Sequence, residues 1–319
     1  MSLYDDLPRR VEVRAPATIA NLGIGFDVLG MAFEQPFDTI YAERTETPGV
    51  LINDIRGDGG RLPRESAKNT AGIAAQAMLN ALNIADQGVC LTIEKGLPLA
   101  SGLGSSAASA AGGAVAVNAL FGGRGDVGMV IAAAVEGEAV VSGRHVDNVA
   151  PAVIGGLVLV TGLEASQLFA LPVPPTLWAT ICTPDVAVPT KEARAVLPRE
   201  VSLATMVHQT GGLGLFIHAL YRSDVALMGR AMMYDQVVEP AREHLIPGLG
   251  AVRVAAAERG ALATVISGSG PTICSFTESK SAAERVMEGM FQVYYGMGIG
   301  FSAQVTRPAA AGTTWRVIA

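Results

Sequence analysis

The twelve residues from Pro98 to Ser109, PLASGLGSSAAS, hold the most concentrated chemistry in the chain. Gly102 and Gly104 allow the backbone to approach a ligand closely. Ser105 and Ser106 open a run of small residues that reads as a helix. The free amides and the dipole of such a helix start attract anions. The serine hydroxyls add donors, and one of them can ligate a phosphate-bound Mg2+. The segment therefore reads as a phosphate cradle built from Pro98, Leu99, Ala100, Ser101, Gly102, Leu103, Gly104, Ser105, Ser106, Ala107 and Ala108. It is not a Walker loop, because no lysine follows Gly104. It matches G-x-G-x-x-A at Gly102, Gly104 and Ala107, the weak dinucleotide fingerprint. Its glycines lie several residues past the preceding strand, however, and the helix runs into FGGRGD and more helix rather than a strand ending in an acid. A capped helix after a flexible turn is the plain alternative.

A second candidate lies earlier. Asn21 and Asp27 are the polar residues of an otherwise apolar loop. Buried polar groups need partners, and a ligand is one such partner. Two side chains hydrogen-bonding their own turn is the other reading.

Several elements must position these groups. Val11 to Val13 and Thr39 to Glu43 read as strands, and the glycines between Ala15 and Gly30 imply a loop in between. Thr70 to Leu82 reads as a helix with Asn69 as N-cap. A strand over Val89 to Glu94 leads to the cradle. Helices follow over Ser106 to Leu120 and Val127 to Val141, and a strand over Val153 to Thr161. The Ala and Gly content of the first of these helices implies close packing against a neighbour. The Pro-rich stretch LPVPPTLW marks a connection, so the chain divides into residues 1–165 and 166–319. The second half mixes strands (Ala179 to Cys182, Ala263 to Ser267, Thr272 to Phe276) with helices (Lys191 to Val196, Leu203 to Tyr221, Val225 to Met233, Gly250 to Arg259, Ser281 to Tyr294). That pattern suggests a two-layer α+β arrangement.

Composition narrows the class. The chain has 319 residues, 50% hydrophobic and 16% charged, enough to bury a substantial core. A net charge of −6 gives no sign of the basic face that nucleic-acid binding usually needs. Cys90, Cys182 and Cys274 are odd in number and far apart, which supports neither a disulfide framework nor a zinc site. The start MSLYDDLPRR has acids where a signal peptide needs a basic region, and its MSL resembles a vector remnant. The most apolar stretch, Val149 to Leu163, is broken by Pro151, Gly155 and Gly156 and is too short to span a bilayer. A cytoplasmic protein is expected.

The cradle also resembles a known family. P-x-x-x-G-L-G-S-S-A-A-S is similar to the phosphate motif of the small-molecule kinases that include galactokinase, homoserine kinase, mevalonate kinase and phosphomevalonate kinase, the GHMP kinases. PATIANLGIGFDVLG resembles their first motif. ISGSGPTICSF, Ile266 to Phe276, resembles their third, a glycine turn at Gly268, Ser269 and Gly270 that is structural when taken alone. EAVVSGRHVDNVAPAVIGG, VPTKEARAVLP and DQVVEPAREHLIPG resemble the homoserine kinase branch, so the resemblance covers nearly the whole chain.

The resemblance implies a two-domain α+β fold: an N-terminal nucleotide-binding domain like ribosomal S5 domain 2, and a C-terminal ferredoxin-like domain. It implies ATP-dependent phosphorylation of the side-chain hydroxyl of L-homoserine, a step of threonine biosynthesis, with ATP and Mg2+ and commonly as a homodimer. Ser106 and Glu138 would hold Mg2+, and the region near Asn69 and Lys95 would receive adenine. Homoserine carries a carboxylate, an ammonium and a hydroxyl. Arg194 and Arg242 suit the carboxylate and Asp27, with Asn21 nearby, the ammonium. A solvated helix face is the ordinary fate of both arginines. His145 either supports the site loop or is structural, and Thr190 is either a substrate-side hydroxyl or a helix cap. Asn148 stands where related kinases carry an aspartate base, and an amide cannot be a base. The catalytic set is then Asp27, Asn148 and Arg194, with the hydroxyl proton passing directly to phosphate. Another small alcohol as substrate, a non-catalytic sensor on the same scaffold, and a nicotinamide-dependent dehydrogenase are the competing readings.

Overall fold

The computed structural model describes residues 6–141 and 143–319. The initial MSL therefore lies outside the described residues.

Two long antiparallel strands, β1 (Arg10–Asn21) and β2 (Gly25–Thr45), form the spine of the first sheet. The expected loop over Ala15 to Gly30 shrinks to a turn at residues 22–24. The strands continue through it because residues such as Ala17, Ile19, Leu29 and Met31 are all buried in one core. β3 (Gly49–Arg56), absent from the sequence reading, pairs in parallel with β4 (Gly88–Glu94). Its sequence GVLINDIR loses clean alternation at a register shift between Ile52 and Asp54. Between them lies helix α1 (Thr70–Ala81). α2 (Ser105–Leu120) and α3 (Val127–Ala139) follow.

Val153 to Thr161 is not one strand, as expected from sequence. Its first residues end helix α4 (Val149–Ile154), two glycines turn the chain, and β5 covers only Leu157–Val160. β6 (Leu168–Leu171) pairs with β5, and the last strand, β11 (Thr314–Val317), returns to pair with β1. The sheet order is β11-β1-β2-β4-β3, with β5 beside β2. Both ends of the expected second half thus contribute to the first sheet, and residue 165 is not a clean cut.

The second sheet is antiparallel. β7 (Trp178–Pro184), β8 (Ala263–Ile266), β9 (Ile273–Thr277) and β10 (Phe301–Thr306) lie in the order β10-β7-β9-β8. Helices α5 (Thr190–Ala195), α6 (Leu203–Tyr221), α7 (Val225–Met232), α8 (Val238–Arg242), α9 (Leu249–Glu258) and α10 (Lys280–Met297) fill the connections.

Packing follows the residue types. α2 is buried on nearly every side, and its glycines set the approach distance. A Cβ at Gly112 would run into Ile40, and one at Gly113 into the Ala71 carbonyl of α1. Period-two alternation splits β7: Ala179 and Ile181 face a core shared with β1 and β2, and Cys182 faces another under α9 and α10. Phe33 and Phe276 meet in the shared core with ring centroids 6.5 Å apart. Each such side chain contributes roughly 1.5–3 kcal/mol by burial. The two sheets therefore share a hydrophobic centre. Among the described residues no helix is long and apolar enough to cross a membrane. The three cysteines are free and buried.

Candidate active site

The cradle is held open by its own backbone. α2 starts at Gly104, whose φ of 64° is left-handed, and no side chain caps it. α1, α3, α6, α7 and α10 all receive a side-chain cap, from Asn69, Asp126, Ser202, Asp224 and Ser279. The uncapped first-turn amides of α2 are thus left for an anion. Glycine is required twice here. A Cβ at Gly104 would collide with the Thr18 hydroxyl, and one at Gly102 (φ 84°) with the Ser267 carbonyl. Ser101 stitches the loop internally, donating to the Pro98 carbonyl at 2.9 Å and accepting from the Leu103 amide at 3.3 Å. Ser267 donates to the Gly102 carbonyl at 2.7 Å, so the third-motif turn clasps the loop from the second sheet.

Beneath the loop, Lys95 and Asp38 form a buried ion pair. Lys95 Nζ also donates to the Ser105 carbonyl at 3.0 Å and to Ser109 Oγ at 2.8 Å. Asp38 accepts from the Gly96 and Leu97 amides at 3.0 Å each. Burial pulls the Lys95 ammonium below its ordinary pKa, against the attraction of Asp38. Lys95 is therefore a brace for the start of α2, and it also lines the cavity.

Ser106 Oγ donates to Glu138 Oε1 at 2.9 Å, bringing α2 and α3 together at the cavity wall. A hydroxyl and a carboxylate oxygen are the donor set of a hard cation, and phosphate oxygens would complete it. In the same turn Ser105 Oγ is buried and, among the described residues, has no hydrogen-bond partner. The uncapped helix, the glycines that leave no room for a side chain, the orphaned hydroxyl and the oxygen pair all fit a nucleotide phosphate with Mg2+.

The other end of the cavity is a charge cluster. Arg194 on α5 makes a two-pronged pair with Asp27, Nη2 to Oδ1 at 2.8 Å and Nη1 to Oδ2 at 3.1 Å. Arg194 Nη2 is also 3.4 Å from His145 Nδ1. Arg242 on α8 is buried, donating to the Ala193 carbonyl at 3.0 Å and the Gly268 carbonyl at 2.8 Å. Burial and the neighbouring Arg194 charge lower its pKa. Both guanidinium groups lie over the Phe26 ring, at 5.5 and 5.3 Å from its centroid. Asn21 spans the lobes: its Oδ1 accepts from the Asp27 amide at 3.0 Å and its Nδ2 donates to the Gly268 carbonyl at 3.0 Å. Asn21 (φ 74°) and Asp27 (φ 59°) both sit in the left-handed region, strain that the surrounding contacts must hold. Thr190 Oγ1 lies 3.4 Å from Ser269 Oγ; it opens α5 without capping it.

Both ends face a single cavity of about 510 Å³. Its wall includes Asn21, Asp27, Lys95, Leu99, Ala100, Ser101, Gly102, Gly104, Ser105, Ser106, Glu138, His145, Asn148, Thr190, Arg194, Arg242, Gly268 and Ser269. Five expected ligand contacts are not on it. Asn69 is buried and spent on capping α1, accepting from the Ala71 amide at 3.0 Å. Leu103, Ala107 and Ala108 point into the core, and Pro98 gives its carbonyl to Ser101. The sequence reading missed Phe26, Thr18 and Asp38. Phe26 and Thr18 lie in the first motif, whose apolar look concealed them. Asp38 had a signal, an acid inside a strand between Phe37 and Thr39, but nothing tied it to Lys95.

Comparison with known proteins agrees with this geometry. The description "GHMP kinases N terminal domain" matches residues 69–156 and "GHMP kinases C terminal" residues 216–296. Homoserine kinase of Chlorobium phaeobacteroides is 42% identical over 86% of this chain and 89% of its own. The chain belongs to the homoserine kinases of the GHMP kinase family. The homoserine kinase of Arabidopsis thaliana is 41% identical over 90% of this kinase and 79% of its own length. The crystal structure of homoserine kinase from Cytophaga hutchinsonii superposes with a TM-score of 0.93 at 40% identity, covering 99% of this kinase and 100% of that chain. Mevalonate kinase of L. major, at 16% identity and a TM-score of 0.71, shares the fold. Both expectations drawn from the resemblance, a GHMP kinase fold and a kinase, stand.

Proposed function

We propose that this kinase transfers the γ-phosphoryl group of ATP to the side-chain hydroxyl of L-homoserine, giving O-phospho-L-homoserine. The observation that carries this reading is the Asp27–Arg194 pair, reinforced by Arg242, at one end of a cavity whose other end is the uncapped start of α2. A neutral carboxylate–guanidinium pair is the electrostatic complement of a zwitterion. Homoserine's ammonium would take the Asp27 side and its carboxylate the Arg194 and Arg242 side. The Phe26 ring gives both guanidinium groups a common aromatic face to rest on.

Gly102 to Ser106 would hold the ATP phosphates, and Ser106 with Glu138 the Mg2+. Leu62, Leu99 and Val141, the apolar part of the wall, would receive adenine in place of Asn69. The metal would supply charge neutralisation across the phosphates. Asn148 lies on the wall next to Gly104, where it orients the substrate hydroxyl. No side chain is assigned as base: the hydroxyl proton passes to a phosphoryl oxygen. The intact set of Ser106, Glu138, Asn148, Arg194 and Arg242 favours an enzyme over a sensor. A cytoplasmic homodimer completes the proposal. α6 carries no Asp, Glu, Lys or Arg, yet Leu203 (72%) and Tyr221 (70%) are exposed on it, and Gly211 and Gly214 leave open space beside its backbone. A second copy fits such an uncharged face.

The test is ADP release with Mg2+ against homoserine, mevalonate and galactose. Turnover on homoserine alone is expected, falling about 100-fold or more in Arg194→Ala while ATP affinity holds. Turnover on another alcohol instead would overturn the substrate assignment.

A further inference from the structure

We propose that Thr18 is a positioning residue that fixes which side of the Asn148 amide meets the substrate hydroxyl. The inference rests on the phosphotransfer reading above and deepens it.

Thr18 is fully buried on β1, at a place where the pairing with β2 breaks. Pro16 pairs with Phe37, but Thr18 already pairs with Ala32. At this shift Thr18 turns its amide to the phosphate loop, donating to the Leu103 carbonyl at 3.1 Å. Its hydroxyl donates to Asn148 Oδ1 at 2.8 Å. The same hydroxyl fills the space that a Cβ at Gly104 would need. One residue therefore touches the phosphate loop, the helix cap and the residue that faces the acceptor.

Asn148 is free to be positioned this way. It stands at the N-cap of α4, but its side chain caps nothing. Its oxygen is held by Thr18, and among the described residues no acceptor engages Nδ2. With its carbonyl taken by Thr18, the N–H donors are the side of the amide left for a ligand in the cavity that Asn148 lines. A donor on the substrate oxygen occupies one lone pair. The second lone pair attacks phosphorus, and the O–H bond is left to point at a phosphoryl oxygen. The O–P bond forms as the bond from phosphorus to the bridging β-γ oxygen breaks. ADP leaves with that electron pair, and the hydroxyl proton moves to the transferred phosphoryl group. With the amide reversed, the carbonyl would accept the hydroxyl proton in a hydrogen bond and turn it away from the phosphate.

The experiment is a double-mutant cycle of Thr18→Val and Asn148→Ala, reading kcat, KM for homoserine and ATP affinity. Thr18→Val keeps the shape and loses the donor. It should lower kcat about 10- to 100-fold, as misorientation of a reacting group does, and leave ATP affinity within about twofold. In the Asn148→Ala background the same change should cost nothing further, because its effect passes through that amide. Thr18→Ser, which restores the hydroxyl, should recover most of the rate. If Thr18→Val does not fold, Thr18→Ala takes its place in the same cycle. Additive losses, or a loss of ATP affinity in step with kcat, would mean that Thr18 only shapes the phosphate loop and would overturn the assignment alone. A wild type inert toward homoserine would overturn the functional reading, and this inference with it.

Discussion

Asp147 separates two accounts of the chemistry. Its carboxyl is buried, its Oδ1 has no hydrogen-bond partner among the described residues, and burial together with the Asp27 charge raises its pKa to about 7, against the pull of Arg194. In the unfolded chain it titrates near its ordinary value of 3.8. The folded state therefore holds this proton more tightly, and stability falls as pH rises from about 4 to about 7. The full cost, on the order of 2–4 kcal/mol, is present above pH 7. Asp147→Asn should raise Tm at pH 8 and match wild type at pH 4; a pH-independent difference would contradict this. The same variant should keep kcat within about tenfold, whereas loss of an acidic limb together with a 10³-fold drop would make Asp147 the base. At this scale the sequence was informative about residue type and blind to pairing. Asp27, Arg194, Arg242, Asn148, Ser106 and Glu138 were each legible as candidates. That Asp27 and Arg194 hold each other was not, because 167 residues separate them. Of the two readings of Asn21 and Asp27, the turn-bonding one is seen in Asn21, which bonds its own turn and also reaches Gly268.

The decisive element is α2 with the braces that hold its first turn. The start of α2 was legible because glycine and serine at a helix opening have few other uses. Its support was not, since a lysine at the end of β4 reads as a solvated charge. The ion pair of Lys95 with Asp38 is sealed from water, so removing one partner leaves a buried charge. Lys95→Met should destabilise the fold by about 3–5 kcal/mol in urea titration, with weakened ATP binding as α2 loosens. A change near zero would show that the pair does not hold the cradle. β3 and α4 were missed for local reasons: Asn53 and Asp54 interrupt the alternation of one, and VAPAVI reads equally well as strand or helix when fully buried.

At the scale of the molecule, the chain-wide resemblance revealed the family, but the boundary drawn from LPVPPTLW could not foresee that β11 returns to the first sheet. Return pairings of this kind leave no local trace. The uncharged face of α6 belongs to this scale as well. Val207→Asp should convert the proposed dimer to a monomer by light scattering without changing kcat, and an unaltered mass would remove α6 from the interface. The central claim is that the Asp27–Arg194–Arg242 cluster selects a zwitterionic alcohol. It is tested most directly by comparing kcat/KM for L-homoserine with that for 4-hydroxybutyrate, which has the same chain and hydroxyl but no ammonium. A preference of about 100-fold or more for homoserine is the predicted result, since 4-hydroxybutyrate brings Arg194 a carboxylate but brings Asp27 no ammonium in exchange. Equal turnover of the two would contradict the account.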